Sequence, residues 1–122
     1  MYVRKAKYSN RKTELDGVKF DSAKESRRYA ELKLLERAGE ISELDLQPKF
    51  ALEINGRPIL LRSKGFPNGR RATCTWDFRY KDKSGQIILE DVKGGQATRT
   101  EAYVLRRGLF EALYPDLKVW EV

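Results

Sequence analysis

Histidine is absent from the 122-residue chain, and cysteine occurs once, at Cys74. These absences exclude internal disulfides, Cys/His zinc sites, serine-histidine triads and histidine acid-base catalysis. Any bound metal must be held by oxygen ligands, which select hard cations such as magnesium, manganese or calcium. Also missing is any apolar run approaching the roughly 18 residues needed to cross a bilayer, and no apolar signal segment follows the basic N-terminus. A soluble, cytoplasmic protein with no membrane partner is therefore expected. Acids are the scarcer charge: 18 Asp and Glu against 25 Lys and Arg leave a formal net charge of +7. That excess favours a polyanionic partner, although a solvated basic surface would give the same number.

The length suits one domain, placed at 13–122, with a basic arm at 1–12. The arm carries Arg4, Lys5, Lys7, Arg11 and Lys12, interleaved with Tyr2 and Tyr8, and no acid precedes Glu14. Taken alone it reads equally as a frayed terminus or as a nucleic-acid arm. A second acid-free basic element recurs at 62–71, with Arg62, Lys64, Arg70 and Arg71. There Gly65, Pro67 and Gly69 break regular structure, so a loop is expected.

Ser22 and Glu25 fit a capping box, with Phe20 as a staple residue, opening a helix over 22–38 that buries Tyr29, Leu32 and Leu35 and stops at Gly39. Glu25 falls on the inward stripe. Ile41, Leu44 and Leu46 follow, then Phe50, Leu52 and Ile54 alternate as a half-buried strand. Asn55-Gly56 is a hairpin signal, with Pro58 at the start of a return strand through Ile59, Leu60 and Leu61. In the next strand Trp76, Phe78 and Tyr80 alternate with Asp77 and Arg79. A second capping box, Thr98 with Glu101, opens a helix with the stripe Ala102, Leu105, Leu109 and Ala112, which carries Arg99, Arg106 and Arg107 and ends near Tyr114-Pro115. Leu117, Val119 and Trp120 close with a strand. The plan is α/β, in the order α-β-β-β-(β)-α-β around one sheet.

The chemistry converges on Ile87, Ile88, Leu89, Glu90, Asp91, Val92, Lys93, Gly94, an apolar strand that ends in carboxylates and a lysine. Residues i and i+2 share a face, so Asp91 stands beside Lys93. Upstream, Asp82-Lys83-Ser84-Gly85-Gln86 fits a three-residue hairpin loop with a left-handed Gly85. That loop pairs 82 with 86, and the ladder then brings Asp77 opposite Asp91, with Cβ atoms about 5 Å apart. Two such charges need neutralising, and a divalent cation does so. In the functional reading Asp77, Asp91 and the backbone carbonyl of Val92 bind the cation, Glu25 completes the set or bridges to a second metal, and Lys93 acts on the attacking water. In the competing reading Asp77 and Lys93 form a cross-strand ion pair and Glu25 only caps its helix. Glu90 ranks behind Asp91 as a ligand, because its face is otherwise apolar.

Phe20-Asp21-Ser22 leading to Glu25, Leu44 to Gln47-Pro48-Lys49-Phe50, Trp76-Asp77-Phe78, Glu90-Asp91-Val92-Lys93-Gly94, Thr98 and Tyr103 together resemble a phage and prophage family of PD-(D/E)XK nucleases. That family is often catalogued only as a domain of unknown function and is similar to phage endonuclease I, a Holliday-junction resolvase. The resemblance runs from about Tyr8 onward. It implies a restriction-endonuclease-like core with a central mixed sheet flanked by helices, magnesium or manganese dependence, and the active-site set Glu25, Asp77, Asp91 and Lys93. Trp76 stands where the motif has proline. With the arm, the 62–71 element and Arg99, Arg106 and Arg107 on phosphates, the expectation is a structure-specific DNA endonuclease for branched DNA in phage recombination or replication. Symmetric cutting of a junction would need two sites, which points to a homodimer. The alternative is a catalytically inactive DNA-binding protein on the same fold.

Overall fold

The computed structural model describes residues 13–94 and 99–122. The described chain begins with a hairpin of β1 (Thr13–Leu15) and β2 (Val18–Phe20), turned by Asp16 and Gly17 at φ 52° and 76°. Two successive positive φ values suit Asp-Gly and match the twist of the flanking strands. The helix α1 (Ala23–Arg37) follows, capped by Ser22, whose side chain accepts from the Glu25 N–H at 3.1 Å. Gly39, at φ 77°, ends it as expected. Tyr29 and Leu32 are buried, but Leu35 lies outside the buried stripe.

Among the described residues the main sheet has four strands in the order β12 (Val119–Glu121), β11 (Ile87–Asp91), β10 (Phe78–Lys81), β3 (Ser42–Leu46). Of these pairings β11–β12 is parallel and β10–β11 and β10–β3 are antiparallel, and α2 (Glu101–Leu113) lies between β11 and β12 in the chain, as a parallel pair requires a crossover. The fold is thus mixed α/β. Side chains alternate across the sheet. Leu89 joins Val119, Trp76, Cys74, Leu52 and Phe110 of α2, whereas Phe78 and Tyr80 join Phe20, Ile41 and Tyr29 and Leu32 of α1. One helix therefore covers each face, and β11 is buried on both sides.

Strand β3 runs on into β4 (Lys49–Ala51), which pairs with β9 (Thr73–Thr75), making one long ribbon bent at Gln47-Pro48 opposite Trp76-Asp77. This bend corrects the expected alternation of Trp76, Phe78 and Tyr80. The Asp77 N–H donates to the Glu90 carbonyl (3.0 Å), although Glu90 already pairs with Phe78. Two residues of one strand thus stand against one of the other, a bulge that re-aims side chains. Trp76 faces α2 while Phe78 and Tyr80 face α1. All three are buried, so they are core and not a platform for stacking bases.

Two further expectations are corrected. The stretch 62–71 is not a loop: β7 (Leu60–Ser63) and β8 (Phe66–Arg71) form a hairpin, with Pro67 accommodated where only two strands pair. It follows a shorter hairpin of β5 (Glu53–Ile54) and β6 (Arg57–Pro58), turned at Asn55-Gly56 as expected. In α2 the inward residues are Tyr103, Leu109, Phe110 and Leu113, whereas Ala102 is exposed and Leu105 is 71 % exposed. The cap is Thr100, whose hydroxyl accepts from the Tyr103 N–H at 3.1 Å; Thr98 lies outside the described residues. The helix carries two neighbouring apolar stripes, since each residue turns the face by about 100°, and packing against the sheet selects the one through Tyr103 and Phe110.

Candidate functional site

Three elements meet at the C-terminal end of β11. The expected register holds from Asp82, whose N–H donates to Gln86 (3.0 Å), through Phe78 opposite Glu90, with Gly85 at φ 84°. At the last step the bulge shifts Asp77 onto Glu90, so it does not face Asp91 as a regular pair. The Asp77 carboxylate instead accepts from the Val92 N–H at 2.6 Å, one residue past Asp91. That bond places the Val92 backbone against Asp77.

Glu25 enters from the first turn of α1 and is only 6 % exposed. Ser22 keeps its half of the capping box, while the Glu25 carboxyl lies within hydrogen-bonding reach of Asp77. Burial, chiefly, with the neighbouring charges of Asp21 and Asp91, raises its pKa despite the bond to Asp77. Asp77 is pushed up to about 8: burial dominates, the Val92 N–H opposes it, and Glu25 and Asp91 add to it. Burial, with the neighbouring carboxylates adding to it, therefore disfavours the ionised forms of Glu25 and Asp77.

Asp91 and Lys93 share a face as expected, with Lys93 Nζ 2.7 Å from Asp91 Oδ2. The ion pair is thus Lys93 with Asp91, and not with Asp77. Lys93 is buried, and its Nζ lies 3.3 Å from the centre of the Tyr103 ring. Tyr103 donates to Glu121 Oε2 at 3.0 Å, and Glu121 is gripped by Arg99 (3.0 Å) and Arg107 (3.4 Å). The Lys93 backbone is fixed too: its N–H donates to the Val122 carbonyl (3.0 Å), and Lys24 Nζ donates to its carbonyl.

Glu90 occupies the opposite face and is committed elsewhere. Arg28 holds both its oxygens, at 2.7 and 2.6 Å, and the Tyr80 hydroxyl donates to one of them. With 2 % exposure and every oxygen engaged, it supports the strand and is no candidate ligand. Sequence reasoning missed Arg28, Lys24 and Tyr80. Arg28 lies one helical turn beyond Glu25, on a neighbouring part of the same surface, and that spacing was the available signal. Lys24, Arg27, Arg28, Glu31, Val92 and Val122 line a cavity of about 260 Å³ beside the site.

The expected DNA-contacting residues divide. Arg4, Lys5, Lys7, Arg11 and Lys12 lie outside the described residues. Arg62, Lys64, Arg70 and Arg71 are exposed on the β7–β8 hairpin, and Arg106 is exposed on α2. Arg99 and Arg107 hold Glu121, and Arg107 also donates to the Val119 carbonyl (2.8 Å), so these two brace the edge strand.

Among the described residues no three Asp, Glu or Cys side chains already converge as a metal-ligand set. Glu25, Asp77 and Asp91 nevertheless fit a hard divalent cation in kind. All are oxygen donors, and the burial and neighbouring charge that together raise Glu25 and Asp77 are what a bound cation would offset. No helix among the described residues is long and apolar enough to cross a membrane. No curated protein and no solved structure matches the chain. Residues 5–122 match the family described as "Protein of unknown function (DUF1064)", and the chain belongs to that family.

Proposed function

We propose that this protein is a magnesium- or manganese-dependent DNA endonuclease. It hydrolyses phosphodiester bonds in branched DNA, as a Holliday-junction resolvase does, and serves phage recombination or replication in the host cytoplasm. The observation that carries this reading is the acidic group Glu25, Asp77 and Asp91 beside a buried lysine at the end of one strand, in a chain of net charge +7. The order helix, mixed sheet, helix, closing parallel strand is compatible with a PD-(D/E)XK core and supports the same reading.

Glu25, Asp77 and Asp91, with the Val92 backbone beside Asp77, would hold the cation. When bound, it supplies Lewis acidity toward a phosphate oxygen and acidifies a water. The chain's own residues do the rest. Lys93 carries a compact positive charge that offsets the negative charge gathering on the phosphate as water attacks. Asp91 orients that ammonium, and Tyr103 limits where it can swing. Lys24 and Arg27, at the neighbouring cavity, suit the adjoining phosphates.

The test is incubation of the purified protein with four-way junctions, flaps and linear duplex in magnesium. Cleavage of branched substrates that Asp91→Asn abolishes is expected; no cleavage of any substrate, or cleavage unchanged in that variant, would sink the proposal.

A second reading, a DNA-binding accessory protein without activity, is favoured by two observations. Asp91 is already neutralised by Lys93, and the three acids do not converge to a single point. Calorimetric titration with magnesium and manganese separates the two, since an idle carboxylate set would take up neither ion.

A further inference from the structure

The β7–β8 hairpin does more than display charge. Every residue from Leu60 to Arg71 except Gly69 is exposed, including Leu60 (51 %), Leu61 (40 %) and Phe66 (50 %). The hairpin is built to curve. At Gly69, φ 91°, a Cβ would stand 2.9 Å from the Leu60 Cβ, and the pairing shifts between Leu61 and Ser63. Exposed apolar side chains grouped on one element mark an interaction surface.

Charge decides what that surface takes. Between Glu53 and Asp77 the chain carries Arg57, Arg62, Lys64, Arg70 and Arg71 and not one carboxylate. A second copy docking here about a two-fold axis would set the same cations against each other. A polyanion answers them. Leu61 lies directly opposite Arg70, and the Arg70 guanidinium sits 6.0 Å from the centre of the Phe66 ring. An aromatic face with a cation beside it is how proteins engage a nucleobase and its phosphate together. Intact duplex presents phosphates but hides its base faces, which leaves Phe66 without a partner.

We propose that the β7–β8 hairpin is a DNA-binding arm in which Phe66 stacks on a base exposed where helical stacking is interrupted, at a branch or strand break. Arg62, Lys64, Arg70 and Arg71 hold the flanking phosphates. The proposal deepens the endonuclease reading and rests on it for the arm's purpose. Eleven residues separate Phe66 from Asp77, so the ring lies within ~40 Å of extended chain from the acids. That reach is close to one turn of duplex, ~34 Å.

The experiment is fluorescence anisotropy in EDTA, with a four-way junction and a linear duplex of equal length and 2-aminopurine at the branch. Wild type should prefer the junction and change the 2-aminopurine signal. Phe66→Ala should weaken junction binding about five- to hundredfold, shift duplex binding by no more than about twofold, and lose the signal. Phe66→Trp should retain all three properties, and Leu105→Ala, an exposed apolar truncation on α2, should change none. Equal losses on both DNAs, a signal that survives Phe66→Ala, no binding by wild type, or sedimentation showing that Phe66→Ala only dissociates a dimer would each overturn it. Because EDTA removes turnover, a chain that binds as described yet never cleaves keeps the arm and loses the nuclease. A chain that cleaves while Phe66→Ala discriminates normally does the reverse.

Discussion

Lys93 is held between an acid and a ring, with its ammonium 2.7 Å from Asp91 Oδ2 and 3.3 Å from the centre of the Tyr103 ring. A cation over an aromatic face is attracted without being neutralised, so the ring positions the charge and leaves it available. Tyr103 is therefore a positioning residue. Tyr103→Leu should lower the single-turnover cleavage rate by about 3- to 30-fold, from a contact worth ~0.7–2 kcal/mol, with little change in DNA affinity. Tyr103→Phe keeps the ring and loses only what the hydroxyl makes with Glu121 and Asp91, so it should stay nearer wild type than Tyr103→Leu. If both variants are equally slow, the hydroxyl and Glu121 matter and the ring does not.

On the other face of β11, Arg28 and Glu90 form a pair that α1 shares with the sheet. Glu90 is almost fully buried, so removing only its partner strands a carboxylate in the core. Arg28→Met should destabilise the fold by about 2–4 kcal/mol in urea denaturation. Combining it with Glu90→Gln should recover a good part of that loss. A double variant as unstable as the sum of the single ones would show that the two residues act independently.

What could be read in advance depended on whether local chemistry set the geometry. Gly85 and Asp82 define their turn within five residues, so the register from Asp82/Gln86 to Phe78/Glu90 was legible, and with it Asp91 rather than Glu90 beside Lys93. The slip at Asp77 was not legible, because it answers the bend at Gln47-Pro48 on a strand some thirty residues earlier. The hairpin β1–β2 carried a local signal in Asp16-Gly17 between Leu15 and Val18, but strands of three residues are too short to show a period. In α2 two apolar stripes compete, and tertiary packing chose Phe110 and Tyr103 over Leu105. At Glu25 the sequence could not separate cap from ligand, because the Ser22 cap fixes only its backbone N–H, while its carboxyl lies beside Asp77, a residue far along the chain.

The choice of stripe in α2 is itself testable. Phe110 is fully buried and stacks near Phe50, Trp76 and Tyr114, whereas Leu105 points to solvent. Phe110→Ala should cost about 3–5 kcal/mol of stability, and Leu105→Ser should stay within ~0.5 kcal/mol. Thermal and urea unfolding of the two variants would show it. The opposite ranking would restore the stripe through Ala102, Leu105, Leu109 and Ala112.

The acids at the site tie folding to pH, and the sign is fixed by the direction of their shifts. Asp77 moves from its ordinary 3.8 up to about 8, and Glu25 also moves upward, so the folded chain binds protons that the unfolded chain has released. A raised pKa contributes no penalty below about pH 4, and the penalty grows as pH rises through the folded value. In EDTA, wild type should therefore lose stability between about pH 4 and pH 8. Asp77→Asn removes the ionisation while its amide oxygen can still accept from the Val92 N–H. The variant should match wild type near pH 4 and exceed it at pH 8, by on the order of 2–4 kcal/mol. Magnesium or manganese should stabilise wild type most at the alkaline end, where the acids are ionised, and should do little for the variant. Urea midpoints taken at pH 4, 6 and 8, with EDTA and with each cation, provide the measurement. A wild-type stability that rises with pH across this range would mean that the acids are already neutralised within the fold.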